Sequence, residues 1–193
     1  VPPPEVHVPA LTSLYRTLCL ASPAELDRAM GQGVAPDPEA MTGWEFYGFN
    51  TLPLTVALGI RKFKKGFYKR AKGRTAMAGY NVKIRPAVLD GPWTAGGPGG
   101  AYVGYFDCTL VGAGAKESLH PNALLLDYGA DSRNSLFDGS FLRDYVVMPD
   151  PKTPDVLLGR AYAALGGARV PVSYFVLQRA HAASQPAAFY DPT

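Results

Sequence analysis

The hydrophobic rhythm of the chain changes at Thr42. Before it, Leu11, Leu14, Tyr15 and Leu18 recur at helical spacing and predict a short amphipathic helix over 10–20. Ser22-Pro23-Ala24-Glu25 predicts the start of a second helix. Ser22 can cap it, Pro23 suits a first position whose N–H has no helical partner, and Glu25 can complete a capping box. Gly31 and Gly33 end that helix, and Pro36 and Pro38 mark a linker. Ahead of both helices, Val1 to Pro9 carries four prolines and reads as an extended arm.

From Thr42 onward, short runs rich in Tyr, Phe, Val and Leu are separated by Gly, Pro, Asn and Asp, the mark of strands joined by turns. The runs fall at 42–50, 61–71, 78–86, 102–111, 122–129, 140–149, 155–165 and 169–180. A helical turn is expected over 54–60, and glycine-rich loops over 91–100 and 112–120. Eight strands suit a closed antiparallel barrel, which leaves no exposed edge and an interior large enough for side chains or one small ligand. A two-sheet sandwich is the alternative. The division expected is 1–41 for the arm and helices, 42–180 for the barrel and 181–193 for a tail. In the third strand, Tyr80, Val82 and Ile84 share one face, read as the core side. Asn81, Lys83 and Arg85 share the other, read as the wet side. Both faces of 169–179 are largely apolar, so that strand needs cover on both sides, for which the N-terminal helices are available.

Composition narrows the class without naming an activity. With 193 residues, 47% of them hydrophobic, the chain can bury a core, which excludes a disordered protein. The longest uncharged apolar run, 52–60, is far short of the ~20 residues a membrane helix needs. Charge is unevenly placed. Residues 61–85 hold ten Lys and Arg and no acid, while the remainder holds nine basic against sixteen acidic residues, a net of −7. Phe63, Phe67 and Tyr68 interleave with the basic residues. Lys64, Lys65, Lys69 and Arg70 therefore form a candidate site for an anionic membrane surface or protein assembly, with nucleic acid a weaker fit. The bland alternative is an exposed hairpin whose apolar residues face the core. Cys19 and Cys108 fit either a disulfide or two buried thiols, and the compartment stays open.

The first strand opens Thr42-Gly43-Trp44-Glu45-Phe46-Tyr47-Gly48, and the last ends Tyr174-Phe175-Val176-Leu177-Gln178-Arg179. This resembles the calycin superfamily of lipocalins and fatty-acid-binding proteins. Its members carry a Trp near the start of the first strand, packed on an Arg or Lys from the end of the last. The resemblance implies a calycin-like eight-stranded barrel closed by Trp44 and Arg179, and a lipid-like ligand. Lipocalins place one residue between the Gly and the Trp, whereas Gly43 and Trp44 are adjacent, and no second lipocalin motif is present.

Chemistry-bearing motifs are few. There is no G-x-S-x-G turn, Gly112-Ala113-Gly114 lacks the third glycine of a phosphate loop, and His7, His120 and His181 have no metal-ligand spacing. No cofactor or metal is expected. Asp107, Asp127 and Asp144 lie within strands, and Asp144 shares its face with Leu142, Val146 and Met148. A carboxylate among apolar neighbours needs a partner, and Arg143 or Arg160 is the expected one across strands. The alternative is an acid–base pair in the barrel. Arg143 with Tyr145 and Arg160 with Tyr162 sit two apart on strands, so each pair shares a face and can hold a carboxylate. Fatty-acid-binding proteins use a similar Arg-x-Tyr arrangement for their ligand's head group. Three readings follow. The first is a binding protein for an apolar or amphipathic small molecule, oriented by Arg160 and Tyr162 or by Arg143 and Tyr145. The second is an accessory subunit docking through 61–74. The third is a barrel isomerase or cyclase.

Overall fold

The computed structural model describes residues 10–52, 60–70, 75–96, 102–112, 117–136 and 139–184. The proline-rich arm, most of the turn expected over 54–60, Lys72, Arg74 and the tail beyond 184 lie outside them.

Two helices lead the chain. Helix α1 (Ser13–Leu20) is capped by the Thr12 side chain, which accepts from the Tyr15 N–H. Helix α2 (Pro23–Gln32) opens on the full capping box of Ser22 and Glu25. A third, α3 (Pro38–Met41), stands where the two prolines suggest only a linker. Pro38 serves as its first residue, and the Asp37 carboxylate caps it.

Eight strands follow: β1 (Trp44–Asn50), β2 (Lys62–Lys69), β3 (Met77–Lys83), β4 (Tyr102–Leu110), β5 (Leu124–Asp127), β6 (Leu142–Val147), β7 (Val156–Leu165) and β8 (Ala168–Ala182). Each pairs antiparallel with the next, and β1 pairs with β8, so the sheet closes into a barrel and the sandwich alternative falls away. Gly43, at φ +82°, turns the chain into β1 and donates its N–H to the Phe67 carbonyl.

Strand alternation divides the side chains between two cores. Phe46, Phe67, Phe106, Leu124, Leu126, Val146, Leu157 and Leu177 fill the inside near the end where β1 begins, and Met41 of α3 packs with them. Outside, Tyr145, Val147, Val156, Leu158, Tyr174 and Val176 form a second core with Tyr15, Leu18, Leu26 and Met30 of α1 and α2. The helices thus flank the barrel along β7 and β8. Gln178 fastens them there: its side-chain carbonyl accepts from the N–H and hydroxyl of Thr12, and its amide donates to the Ala10 carbonyl. Cys19 lies in the outer core and Cys108 in the inner one; both are free thiols.

Strand β3 corrects the expectation for its faces. Tyr80 and Val82 are buried in a cluster with Tyr68 on the outer wall. Asn81 instead turns inward, to Lys65 and Tyr128.

Candidate functional site

The far half of the barrel is open. A cavity of about 610 Å³ enters at the end where β1 finishes and β2 begins. Asn50, Lys83, Arg85 and Ser173 stand among its polar wall residues, with Phe63, Val103, Leu142, Ala161 and Phe175 among the apolar ones. Two glycines shape it. A Cβ on Gly159 would sit 2.1 Å from the Phe175 ring, and one on Gly48 would sit 2.4 Å from the Phe63 ring. Their missing side chains let both rings lie flat against the wall.

Where the cavity meets the filled half, four polar side chains converge. Lys65 of β2 points inward between Phe63 and Phe67. Its Nζ donates to Asn81 Oδ1 (2.9 Å), to the Tyr128 hydroxyl (2.5 Å) and to Asp144 Oδ2 (3.4 Å). Tyr128 opens a 3-10 turn, Tyr128–Ala130, directly after β5. Its hydroxyl accepts from Lys65 and Asn81 and donates to Asp144 Oδ2 at 2.9 Å. Asn81 also donates to the Gly104 carbonyl. Every polar atom of this cluster is therefore matched save one: Asp144 Oδ1 is buried without a hydrogen-bond partner among the described residues. Leaving such a group unmatched costs about 1–3 kcal/mol.

The electrostatics follow from burial. Lys65 and Asp144 are 1% and 4% exposed. The Lys65 ammonium lies 4.7–5.5 Å from the ring centroids of Phe63, Phe106, Tyr128 and Phe175. Loss of water pulls the Lys65 amine below its ordinary range, against the pull of Asp144. The same loss pushes the Asp144 carboxyl up, against Lys65 and the Tyr128 hydroxyl. Burial and Asp144 together raise the Tyr128 phenol. Burial thus works against the charged form of both groups, while each group's charge supports that of the other.

The residues singled out from sequence lie elsewhere. Arg160, Tyr162 and Tyr145 face away from the cavity, into the layer beneath α2 and the 117–123 loop. The Arg160 guanidinium pairs with Asp27 of α2, which also accepts from the Tyr174 hydroxyl. Tyr162 meets His120 Nε2 at 2.8 Å, and Tyr145 donates to Glu117 at 3.1 Å. Arg143 pairs with Asp127 at 3.1 Å, also on the outer wall. Neither Arg-x-Tyr pair can hold a ligand's head group inside the barrel, because the alternation that aims Asp144, Gly159 and Ala161 inward aims both pairs outward. The expected arginine partner of Asp144 is accordingly replaced by Lys65, from a strand across the barrel. Asp107 is on the outer wall, 3.0 Å from Arg70.

The basic segment also reads differently. Lys65 is interior and presents no charge to a surface. Lys64 lies 3.5 Å from Glu45 and 3.0 Å from His181, and Arg70 pairs with Asp107 and Asp131. Of the four, Lys69 alone is exposed. Lys62 is buried on the outer wall, where its Nζ donates to the carbonyls of Val88, Leu89 and Gly91 and lies 4.0 Å from the Trp93 ring centre. Desolvation lowers its pKa to about 8.

At the filled end, the Arg179 guanidinium sits 4.8 Å from the Trp44 ring centre and 5.3 Å from that of Phe46. It also donates to Asp155 and to the Ala40 carbonyl, tying β8 to β1 and to α3. Among the described residues, no group of three or more His, Cys, Asp and Glu is placed to hold a metal ion. A smaller hollow of about 330 Å³ on the outer wall is lined by Asp107, Glu117 and Asp127, each already paired with arginine.

No protein-family model matches the chain, and comparison with curated proteins and with solved structures returns no significant match. The fold is a closed β-barrel compatible with ligand binding.

Proposed function

We propose that this protein holds a mainly apolar small molecule in the open half of its barrel, with one neutral polar group of that molecule resting on the Lys65–Asp144–Tyr128–Asn81 cluster. The observation that carries the reading is the cavity of about 610 Å³ ending on a buried polar floor. Ligand sites are commonly about 300–1,000 Å³, mostly apolar with a few placed polar groups. The floor also indicates the kind of head group. Lys65 and Asp144 balance each other's charge, and all three protons of the ammonium are already donated. A ligand carboxylate would therefore meet no free donor from Lys65 and would lie near Asp144. A hydroxyl would instead supply the hydrogen bond that Asp144 Oδ1 lacks.

The test uses N-phenyl-1-naphthylamine, an uncharged fluorescent probe, as reporter. One-site binding is expected, with displacement by 1-decanol at least tenfold more effective than by decanoate. Failure of the probe and of decanol to bind overturns the proposal. Stronger displacement by decanoate overturns the assignment of a neutral head group.

A barrel isomerase or cyclase is the second reading that an observation favours. Asp144 and Tyr128 place a carboxyl and a phenol at the end of the cavity, in hydrogen-bond contact with each other.

A further inference from the structure

We infer that the cavity takes an apolar aldehyde or ketone and that Lys65 condenses with it to form an imine. The inference rests on the ligand-binding reading above and takes the neutral polar group to be a carbonyl, whose oxygen becomes a hydroxyl beside Asp144 when the carbinolamine forms. Three features of the floor carry it. Lys65 and Asp144 both line the cavity, so a bound molecule that pushes the Phe63 and Phe175 rings aside brings a carbonyl carbon to the amine. The four surrounding rings leave Lys65 only 1% exposed, and such burial disfavours the ammonium and slows hydrolysis of an imine. Acid–base groups stand beside the nitrogen: the Tyr128 hydroxyl lies 2.5 Å from Nζ and passes its own proton toward Asp144. Imine formation needs an uncharged amine and an adjacent acid, and this cluster supplies both by moving one proton.

The steps balance within the cluster. Lys65 gives a proton to Asp144, leaving an amine and a carboxylic acid. The nitrogen lone pair attacks the carbonyl carbon, a C–N bond forms, and the carbonyl π electrons move to oxygen. That oxygen takes the Asp144 proton, and the nitrogen returns one of its own to Asp144, giving a neutral carbinolamine. Asp144 then protonates the carbinolamine hydroxyl, the C–O bond breaks, and water leaves. The product is an iminium paired with the Asp144 carboxylate. One carbonyl compound and one ammonium have become one iminium and one water, with no oxidant or reductant. The charge pair at the start is an ammonium with a carboxylate, and the pair at the end is an iminium with the same carboxylate. No uncompensated charge is buried along the way.

The experiment treats the full chain with decanal and sodium cyanoborohydride, then maps the reduced adduct by mass spectrometry. Lys65 is expected to be labelled at least tenfold faster than the exposed Lys69 and Lys152 of the same molecule. These serve as internal controls, so the wild-type result stands even if a variant misfolds. Asp144→Asn is expected to slow labelling at Lys65 at least tenfold while leaving Lys69 and Lys152 unchanged. Labelling spread over exposed lysines, with Lys65 unmodified, overturns the inference. Binding of 1-decanol, followed by displacement of the naphthylamine probe, separates the two claims. If decanol binds and Lys65 stays unlabelled, imine formation fails while ligand binding stands. If decanol does not bind and Lys65 stays unlabelled, both fail.

Discussion

Replacing Lys65 with Met removes the positive half of a buried pair and leaves Asp144 in place. The Nζ–Oδ2 distance of 3.4 Å corresponds to a gross attraction of about 5 kcal/mol at an effective dielectric near 20. Removing one partner of a buried pair typically costs about 3–5 kcal/mol, because the other charge is stranded. Here the stranded carboxylate would keep only the Tyr128 hydroxyl as donor. Lys65→Met is thus expected to lose about 3–5 kcal/mol at pH 8. Asp144→Asn, which strands the ammonium, should lose a similar amount. The double variant should lose at least ~2 kcal/mol less than the sum, a coupling typical of residues in one network. The sign of the pH dependence follows from Asp144. Its folded pKa is raised, so between the unfolded value of about 3.9 and that raised value the native state binds the extra proton. Stability from this group therefore falls as pH rises through the window, and more steeply without Lys65. The Lys65→Met penalty should accordingly shrink from pH 8 toward pH 5. Urea unfolding of the four proteins at both pH values measures all of this. Additivity within about 0.5 kcal/mol, or a penalty that does not change with pH, would refute the argument that the two groups act as one charge pair.

Arg160→Ala and Arg143→Ala should leave decanol affinity within about twofold of wild type, because both side chains lie outside the barrel. The Arg160 change should cost at most about 1 kcal/mol in urea unfolding, as its ion pair with Asp27 is partly exposed. Gly159→Ala should cost about 1–3 kcal/mol and weaken probe binding, since the new Cβ displaces the Phe175 ring into the cavity; a lowered melting temperature with unchanged affinity would contradict this. Burial alone would raise the Asp131 carboxyl, but hydrogen bonds from Arg133 and Arg70 outweigh it and hold it at about 2. Its contribution is present above the unfolded value of about 3.9 and is lost as pH falls toward 2, so wild type should outlast Asp131→Asn at pH 5 and converge with it near pH 2.

The barrel was legible because period-two alternation and turn residues recur along the whole C-terminal part, and closure is what eight such strands do to remove their edges. The capping box at Ser22 was legible because a cap depends on four adjacent residues. The polar floor was not, because its members come from β2, β3, β6 and the turn after β5, and no local pattern joins them. One signal was available. Phe63, Lys65 and Phe67 alternate on a single face of β2, so an amine stood on an apolar stripe, hidden by the basic run in which it sits. Asn81 misled for the opposite reason. Tyr80 and Val82 looked like the core side, and they are buried, but on the outer wall. Alternation tells which residues share a face and not which face is inside. The Arg-x-Tyr pairs failed on the same point, since a layer of helices makes the outer face of β7 nearly as dry as the inner one.

That ambiguity bears on what the floor is for. The filled half of this barrel closes with Phe46, Phe67, Leu124, Leu157 and their neighbours, so the fold has an apolar solution one layer below the cluster. Buried ion pairs seldom stabilise more than apolar residues of equal volume. Stability alone therefore gives no reason for a lysine, an aspartate, a tyrosine and an asparagine to meet inside this barrel, still less with one carboxylate oxygen unmatched among the described residues. Their position does give one. They form the floor of the cavity, at its boundary with the filled half of the barrel. On the proposed reading, a group that costs stability there becomes the source of selectivity when a ligand binds. Occupancy and stability are then linked: decanol at 100 times its dissociation constant should raise the unfolding free energy by about 2.7 kcal/mol. At equal free concentrations of decanol and decane, most of the increment specific to the hydroxyl should vanish in Asp144→Leu. An undiminished hydroxyl increment in that variant would return the cluster to a structural role.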